Sequence, residues 1–346
     1  LDAARAEALA PYLRDTVPTD TETGRQVTAN PLMLAMVASV YERKGAMPGT
    51  VAALYAVASE AMLERGGAAA PQLRALLQRV FFEAHVAQRR VIDDRQLDEA
   101  ALGMEAPDGL RAIRERAVAA LDAASLPPYD GRPEMGHYVE VTNEGEHKGK
   151  RGVITTDDKS SNPYKVTFAD GTTSNWLQAD KLTSSGLDET NVLVRAMAAC
   201  VADVRAACEA KLSPAMHEAL RTVRERVTRD ELPLLSLLQA EPLQLQASHL
   251  SFQEYFAARA LCEASTVLSG APPWQWPAWW ANAVKLGEEM GAPFARGLLR
   301  SAGVEGDALD LQQKLGGDRP TVLRVVILFM AVLTSLNLWN NSIGAE

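Results

Sequence analysis

The residue with the clearest chemical potential is His249, which opens the run His-Leu-Ser-Phe-Gln-Glu-Tyr-Phe-Ala-Ala (residues 249–258). Ser248 precedes it and is of a type that caps helices, because its hydroxyl oxygen can accept an orphan backbone N–H of the first turn. Leu250 and Phe256 follow at helical spacing and predict an apolar helix face. An imidazole at the positive end of a helix is placed to meet an anion such as a phosphate. The alternative is that His249 merely packs at the helix terminus.

A second candidate contact is Pro31, in the run Asn-Pro-Leu-Met-Leu (residues 30–34). Asn30 is a good helix cap, and a proline fits the first turn without losing a needed N–H. The run predicts a helix, followed after a Gly- and Pro-containing break by a second helix over residues 50–65. On physical grounds alone, this is a helical hairpin with a capped entry.

The two runs together resemble one protein family. The run at 249–258 resembles the signature late in the winged-helix domain of NACHT NTPases, the STAND-class switch proteins that include the NOD-like receptors. The run at 30–34 resembles the first helical domain of the same family, and the two occur in the family's order. The resemblance implies that His249 touches the β-phosphate of bound ADP and helps to hold a closed, inactive form, and that Pro31 packs on the adenine.

Motifs that would make this chain an enzyme by itself are missing from the sequence. It contains no Gly-x-x-x-x-Gly-Lys-Ser/Thr phosphate loop, no Gly-x-Ser-x-Gly, no His-Glu-x-x-His and no Cys-x-x-Cys. We therefore name no catalytic residue and no metal ligand. The resemblance implies ADP or ATP as the cofactor, with Mg²⁺ held by an upstream phosphate-loop domain, and an ATPase switch as the whole protein. In such a switch, exchange of ADP for ATP releases the winged helix and exposes an oligomerising face.

The sequence pattern changes after a Pro- and Gly-rich linker over residues 126–133, and residues 137–183 alternate with period two. Four or five short strands predict a small barrel, and two of its runs resemble SH3-like barrels of the Tudor and KOW type. Such barrels bind peptides, modified side chains or RNA. Tyr164, Phe168 and Trp176 can form an aromatic cage for such a ligand, or they can be the barrel core. The basic residues of the barrel are balanced by acidic ones, which disfavours RNA.

Two further clusters each have two interpretations. The Trp- and Pro-rich run at residues 272–280 is either a partner-binding patch or a core anchor, because tryptophan contributes a large buried area. Arg89 and Arg90 are either phosphate or nucleic-acid contacts or a solvated surface pair.

The last stretch, residues 333–344, follows the Leu-x-x-Leu-x-Leu-x-x-Asn pattern of a leucine-rich repeat, with Asn341 at the ninth place. A single repeat cannot bury its own face. We therefore expect further repeats downstream, and a chain that is part of a longer protein.

Composition restricts the possible binding partners and the cellular compartment. The net charge of −9 on 346 residues argues against broad binding to nucleic acid or to anionic membranes. Three cysteines without ligand spacing suit a reducing, cytoplasmic compartment. The apolar run at residues 322–333 is too short to span a bilayer, and we interpret it as buried core.

We expect a mainly α protein of helical and winged-helix domains with a small inserted all-β SH3-like barrel. The expected function is the nucleotide-sensing, autoinhibitory part of a NACHT-type signalling ATPase; the alternative is a non-enzymatic scaffold whose barrel binds a peptide or a modified tail. Expected partners are the upstream nucleotide-binding domain, the downstream repeats and, on activation, further copies of the protein.

The sequence leaves open whether residues 192–238 belong to the winged helix. The predicted domains are a first helical domain (1–68), the first part of a winged helix (69–130), the barrel (131–185), the region carrying the histidine motif (186–262), a second helical domain (263–320) and the start of the repeats (321–346).

Overall fold

The structure is a computed structural model, and it describes most of the 346 residues. It is mainly α-helical, as predicted, and its described residues form two small antiparallel sheets and one parallel pair of strands. The described residues are 3–15, 17–19, 26–29, 31–42, 48–64, 71–122, 129, 131–134, 136–143, 145, 147–157, 161, 163–168, 172–188, 200–263, 268 and 271–341.

The chain divides into two compact units, and the second is inserted in the sequence of the first. Unit 1 comprises Leu1–Ala101 and Ser213–Glu346, and unit 2 comprises Leu102–Leu212. The helices are α1 (Ala3–Asp15), α2 (Pro31–Glu42), α3 (Val51–Leu63), α4 (Pro71–Val86), α5 (Asp94–Glu105), α6 (Pro107–Asp122), α7 (Val201–Lys211), α8 (Pro214–Thr228), α9 (Leu250–Cys262), α10 (Ala281–Met290), α11 (Ala292–Ser301) and α12 (Arg319–Met330). The strands are β1 (Val91–Asp93), β2 (His137–Val141), β3 (Arg151–Asp157), β4 (Tyr164–Phe168), β5 (Leu182–Asp188), β6 (Leu235–Gln239), β7 (Gln244–Ala247), β8 (Ala308–Asp310) and β9 (Ser335–Asn337).

Helix α9 is the central element of unit 1, because it is buried along most of its length. Phe256 stacks on Phe81 of α4 with ring centroids 5.2 Å apart. Phe252 meets the edge of Tyr55 from α3, with centroids 5.4 Å apart. Each aromatic pair of this kind adds about 0.5–1.5 kcal/mol beyond the area that it buries. The motif therefore lies on a helix whose position is fixed from two sides.

Helix α5 begins with a reciprocal cap. The backbone N–H of Gln96 donates to Asp93 Oδ1, and the backbone N–H of Asp93 donates to Gln96 Oε1, each at 2.8 Å. This reciprocal pair is a capping box, and it makes Asp93 the cap of α5. Arg224 of α8 then joins the helix by ion pairs of 2.7 Å to Asp94 and Asp98.

Strands β1, β7 and β6 form a three-stranded antiparallel sheet in that order. Residues 243–246 alternate between leucine and glutamine, and the pairing of β7 with both neighbours is the reason for that alternation. Leu245 is fully buried, whereas Gln244 and Gln246 on the other face are partly exposed. The sheet leads directly into α9.

The end of unit 1 contains an internal repeat of 27 residues. Strands β8 and β9 pair in parallel, and their partners, such as Asp310 and Asn337, are 27 residues apart. In the first turn, Asp310 Oδ1 accepts the backbone N–H of Gln312 at 3.0 Å. In the second turn, Asn337 Oδ1 accepts the backbone N–H of Trp339 at the same distance. The two turns therefore have the same local geometry.

Positive backbone φ angles repeat at the same spacing, with values of 55° at Gln313 and 58° at Asn340. Asn341 lies at the end of the second turn and bonds to the first: its Nδ2 donates to Leu311 O at 2.7 Å and its Oδ1 accepts from Leu315 N at 3.1 Å. The sequence pattern identified only the second turn. The first turn was missed because it lacks the asparagine.

Unit 2 contains a four-stranded antiparallel sheet of order β4-β3-β2-β5. Among the described residues no pairing joins the outer strands β4 and β5, so the sheet is not closed into a barrel by the pairs seen here. Unit 2 is wider than the predicted insertion over 131–185, because it also contains α6 and α7. The core of the sheet consists of Val139, Val141, Ile154, Tyr164, Val166, Phe168, Leu177 and Leu182.

Candidate functional site

His249 is itself the N-cap of α9, with extended backbone angles (φ −143°, ψ 137°). Its Nδ1 accepts the backbone N–H of Ser251 at 3.3 Å and lies 2.6 Å from Ser251 Oγ. Because Nδ1 uses its lone pair as an acceptor, the proton of the neutral ring is on Nε2. The exposed imidazole therefore keeps an N–H donor at the positive end of the helix.

The cap was predicted one residue too early. Ser248 is exposed, and its backbone N–H donates to Leu234 O at 3.0 Å. This bond continues the β6–β7 pairing, so the strand ends at the residue where the sequence suggested a cap.

Strand pairing places Arg90 close to the start of α9. Val91 of β1 lies opposite Gln246 of β7 in antiparallel register. In that register, the residue before Val91 lies beside the residues that follow Gln246. Arg90 and His249 are 159 positions apart in the sequence, but this pairing brings them together, and both line one depression on the surface.

The turn that carries Arg90 is held by Gln253 from α9. Gln253 Nε2 donates to Arg89 O at 2.7 Å, and Gln253 has no exposed surface. Gln88, just before this turn, has a left-handed φ of 52°. The buried amide thus fixes the backbone next to Arg90.

The resulting depression is about 390 Å³, a volume sufficient for a phosphate group with part of a larger ligand. Its lining includes the Arg90 side chain and the His249 imidazole beside the positive end of α9, a combination suited to an anion. The residues that line it are Arg90, Gln246, Ala247, Ser248, His249, Leu250 and Gln253.

A buried carboxylate lies close to this site. Glu254 accepts a hydrogen bond from Asn282 Nδ2 at 2.5 Å. Burial raises the pKa of Glu254, and the Asn282 bond and the charge of Arg90 act in the opposite direction. Arg90 therefore interacts electrostatically with Glu254 while it lines the depression.

Pro31 does not line this depression. It is the first residue of α2, as predicted, and it is exposed. Asn30, the predicted cap, lies outside the described residues. An exposed proline ring is available for contact with a ligand, but the structure does not place it among the residues around His249.

The three barrel aromatics separate into two environments. Tyr164 and Phe168 are buried, and the Tyr164 hydroxyl accepts from Arg132 Nε and donates to Pro133 O, both at 2.8 Å. Trp176 is 43% exposed, and Lys165 Nζ lies 4.7 Å from its ring centroid. The core interpretation holds for the first two rings, which leaves Trp176 as the accessible one.

The Trp-rich run packs against α4, and this agrees with its interpretation as a core anchor. Trp276 and Trp280 are buried and stack with centroids 4.0 Å apart. Trp280 meets the edge of His85 at 4.5 Å, and Trp279 Nε1 donates to His85 O at 2.9 Å. Burial lowers the pKa of His85 to about 3, so its ring is neutral.

Two further kinds of feature are absent from the described part of the chain. No group of three or more His, Cys, Asp or Glu side chains there could hold a metal ion. No helix among the same residues is long and apolar enough to cross a membrane. The three cysteines are free thiols.

Comparison of the chain with protein-family models, with curated proteins and with solved structures gives no match. The site must therefore be interpreted from its own geometry.

Proposed function

We propose that this chain is the nucleotide-sensing, autoinhibitory part of a NACHT-type signal-transduction ATPase. In this proposal, ADP or ATP is bound mainly by an upstream phosphate-loop domain that also holds Mg²⁺ and carries out hydrolysis. This chain contributes contacts to the bound nucleotide and, through them, controls the state of the whole protein.

The observation that carries the proposal is the convergence of His249 and Arg90 on the N-terminus of α9. Partial positive charge at a helix N-terminus, an N–H donor and a guanidinium are the three elements that proteins combine to hold a phosphate group. His249 is the residue that the resemblance assigns to the β-phosphate. Arg90 supplies a full positive charge to the same depression.

The switch works through differential affinity. A ligand shifts an equilibrium between two states only if it binds one of them more tightly. Contacts from His249 and Arg90 to the nucleotide stabilise the state in which unit 1 and the upstream domain are closed together. Pro31 is proposed as an adenine contact, and its exposure leaves the ring accessible.

The wider architecture is proposed on the same basis. The two turns that follow β8 and β9, which are spaced 27 residues apart, begin a leucine-rich repeat array that continues downstream. The sheet of unit 2 belongs to an inserted SH3-like barrel. The protein acts in the cytoplasm and self-associates on activation.

Nucleotide extraction from the complete protein tests the proposal. We expect wild type to retain ADP through purification and His249→Ala to lose most of it, because the β-phosphate contact is removed. The control is His217→Ala, since His217 is exposed on α8 and does not line the depression. Equal ADP retention in wild type and His249→Ala would refute the proposed role of the histidine.

A second function is favoured by one observation, the exposed Trp176 with Lys165 above its ring. In this alternative, the chain is a non-enzymatic scaffold, and the sheet of unit 2 binds a peptide or a modified tail. Trp176→Ala would then abolish partner binding without changing nucleotide retention.

A further inference from the structure

Ser251 lies two residues after His249 and contacts its ring with two groups. The backbone N–H of Ser251 donates to His249 Nδ1 at 3.3 Å, and the hydroxyl oxygen lies 2.6 Å from the same nitrogen. A ring nitrogen that accepts from an N–H carries a lone pair there and has no proton to donate to a hydroxyl. The hydroxyl therefore donates, and it is the nearer of the two donors that share the Nδ1 lone pair.

The direction of this hydroxyl is set from its buried side. Ser251 is buried, whereas His249 is exposed. Burial raises the pKa of Tyr55, in α3, to about 12, and a hydrogen bond with the Ser251 side chain acts the other way. The Tyr55 hydroxyl consequently keeps its proton and donates it to Ser251 Oγ. The O–H of Ser251 is then directed away from Tyr55 and towards the ring of His249.

Tyr55 is a fixed starting point for this chain of hydroxyls. Its ring meets the edge of Phe252 with centroids 5.4 Å apart and stacks on Tyr255 with centroids 5.7 Å apart. It has almost no exposed surface. The chain therefore begins at a ring that is packed in the core and ends at an imidazole that lines the depression.

We infer that Ser251 is a positioning residue for His249, and that the hydroxyl chain Tyr55–Ser251–His249 keeps the ring proton on Nε2, where it is available to an anion in the depression. The inference rests on the proposed function and deepens it, because it names the residues that make His249 a donor to a phosphate. In the other tautomer, Nε2 would carry a lone pair, which repels an anion. The partner of one ring nitrogen commonly decides in this way what the other nitrogen offers.

The ring signals of His249 test the inference directly. The 346-residue chain is labelled with ¹⁵N-histidine and measured at about pH 8, where an ordinary imidazole is neutral. The His249 signals are assigned by their loss in His249→Ala. Protonated and unprotonated ring nitrogens differ widely in ¹⁵N shift, so the two signals report which nitrogen carries the proton.

We expect wild type to show a single tautomer with the proton on Nε2. In Ser251→Ala, the two ring shifts should move towards each other as the second tautomer gains population. Tyr55→Phe keeps the packed ring and removes only its hydroxyl, so it should cause a smaller change in the same direction. Wild-type ring shifts in both Ser251→Ala and Tyr55→Phe would overturn the inference.

The same samples are titrated with ADP and with inorganic phosphate. Ser251→Ala should bind ADP about fivefold more weakly, the factor that corresponds to one typical hydrogen bond. Ser251→Thr retains a hydroxyl and should restore the wild-type ring shifts and affinity. The matched control is Ser301→Ala, which removes the hydroxyl of another buried serine, one that donates to Leu298 O at 2.8 Å and does not line the depression. Weaker ADP binding by Ser251→Ala with unchanged ring shifts would mean a merely structural role and would overturn the inference.

The inference and the proposed function fail in different ways. ADP binding that is lost in His249→Ala but unchanged in Ser251→Ala overturns the inference and leaves the proposed function standing. If wild type binds inorganic phosphate but not ADP, and Ser251→Ala weakens that binding, the inference holds for an anion site and nucleotide sensing is wrong. A wild type that binds neither probe contradicts both.

Discussion

His85 makes stability depend on pH in a way that can be isolated by one substitution. The ring is fully buried between Trp279 and Trp280, and neither ring nitrogen has a hydrogen-bond partner among the described residues. Its surroundings therefore offer nothing to compensate a positive charge, and desolvation lowers its pKa from 6.5 to about 3. We predict that His85→Phe, which fills a similar space with a ring that does not titrate, flattens the acid side of the stability curve.

The sign and size follow from proton linkage. The unfolded chain takes up a proton at His85 below about pH 6.5, whereas the folded chain does not until about pH 3. Stability is therefore fully present above the unfolded pKa and is lost as pH falls from about 6.5 towards 3. At 1.36 kcal/mol per unit, the whole shift corresponds to about 5 kcal/mol, and the part between about pH 7 and pH 5 to about 2 kcal/mol.

Urea unfolding of wild type and His85→Phe at several pH values measures the pH-dependent contribution of His85 to the free energy of unfolding. We expect the wild type to lose about 2 kcal/mol more than the variant between about pH 7 and pH 5. The buried carboxyl of Glu254 titrates in both proteins, so its contribution cancels in the difference. His217→Phe, at an exposed position, should follow the wild-type curve. Parallel curves for wild type and His85→Phe would refute the reasoning.

Three further predictions concern packing and capping. Gly297→Ala should destabilise unit 1 by about 3 kcal/mol or more in urea unfolding, because the added Cβ would lie 1.7 Å from the carbonyl oxygen of Leu261. An unchanged unfolding midpoint would contradict the close approach of α11 to the end of α9. Glu289→Ala should cost about 1 kcal/mol by the same assay, since its carboxylate accepts a backbone N–H in the first turn of α3, and no measurable cost would show that this contact is not maintained in solution. In unit 2, Tyr164→Phe should lower the free energy of unfolding by about 1–3 kcal/mol, because two hydrogen bonds of the hydroxyl are lost. Trp176→Ala should lower it by less than about 0.5 kcal/mol, because that ring is exposed. The reverse order in thermal unfolding would mean that the buried and exposed rings are wrongly assigned.

The local features of the site were accessible to sequence reasoning, and the long-range ones were not. His249 at a helix start and Pro31 at the start of α2 follow from capping rules and apolar periodicity, which act over a few residues. Helix α8 follows the same rules, with Ser213 as its cap and Pro214 as its first residue. These positions depend on neighbours that a sequence displays side by side.

The sequence left open whether Arg90 is a phosphate or nucleic-acid contact or half of a solvated surface pair, and it gave no sign that Arg90 lies near His249. Its place beside His249 depends on the pairing of Val91 with Gln246, between segments separated by the whole of unit 2. Strand β1 has three residues, too few for an alternation to be recognised. The contact of Tyr55 with Ser251 was equally hidden, because only tertiary packing brings α3 beside α9.

Residues 192–238 illustrate the same limit. Their helical pattern gave no sign of where they belong, and the structure divides the described part among α7 in unit 2 and α8 and β6 in unit 1. Helix α8 belongs with unit 1 because Arg224 pairs with two aspartates of α5 and because α8 packs on α4. Those partners lie more than 100 residues away in sequence, as the separations of 130 and 126 residues show.

Phosphorus NMR of ADP in the presence of this chain tests the central claim most directly. If His249 and Arg90 hold the terminal phosphate at the N-terminus of α9, the β-phosphorus signal broadens more than the α-phosphorus signal with wild type. The difference disappears with His249→Ala and with Arg90→Ala and persists with Arg221→Ala, a change at an exposed arginine of α8. Equal broadening of both signals, or selective broadening that survives His249→Ala and Arg90→Ala, would contradict the account.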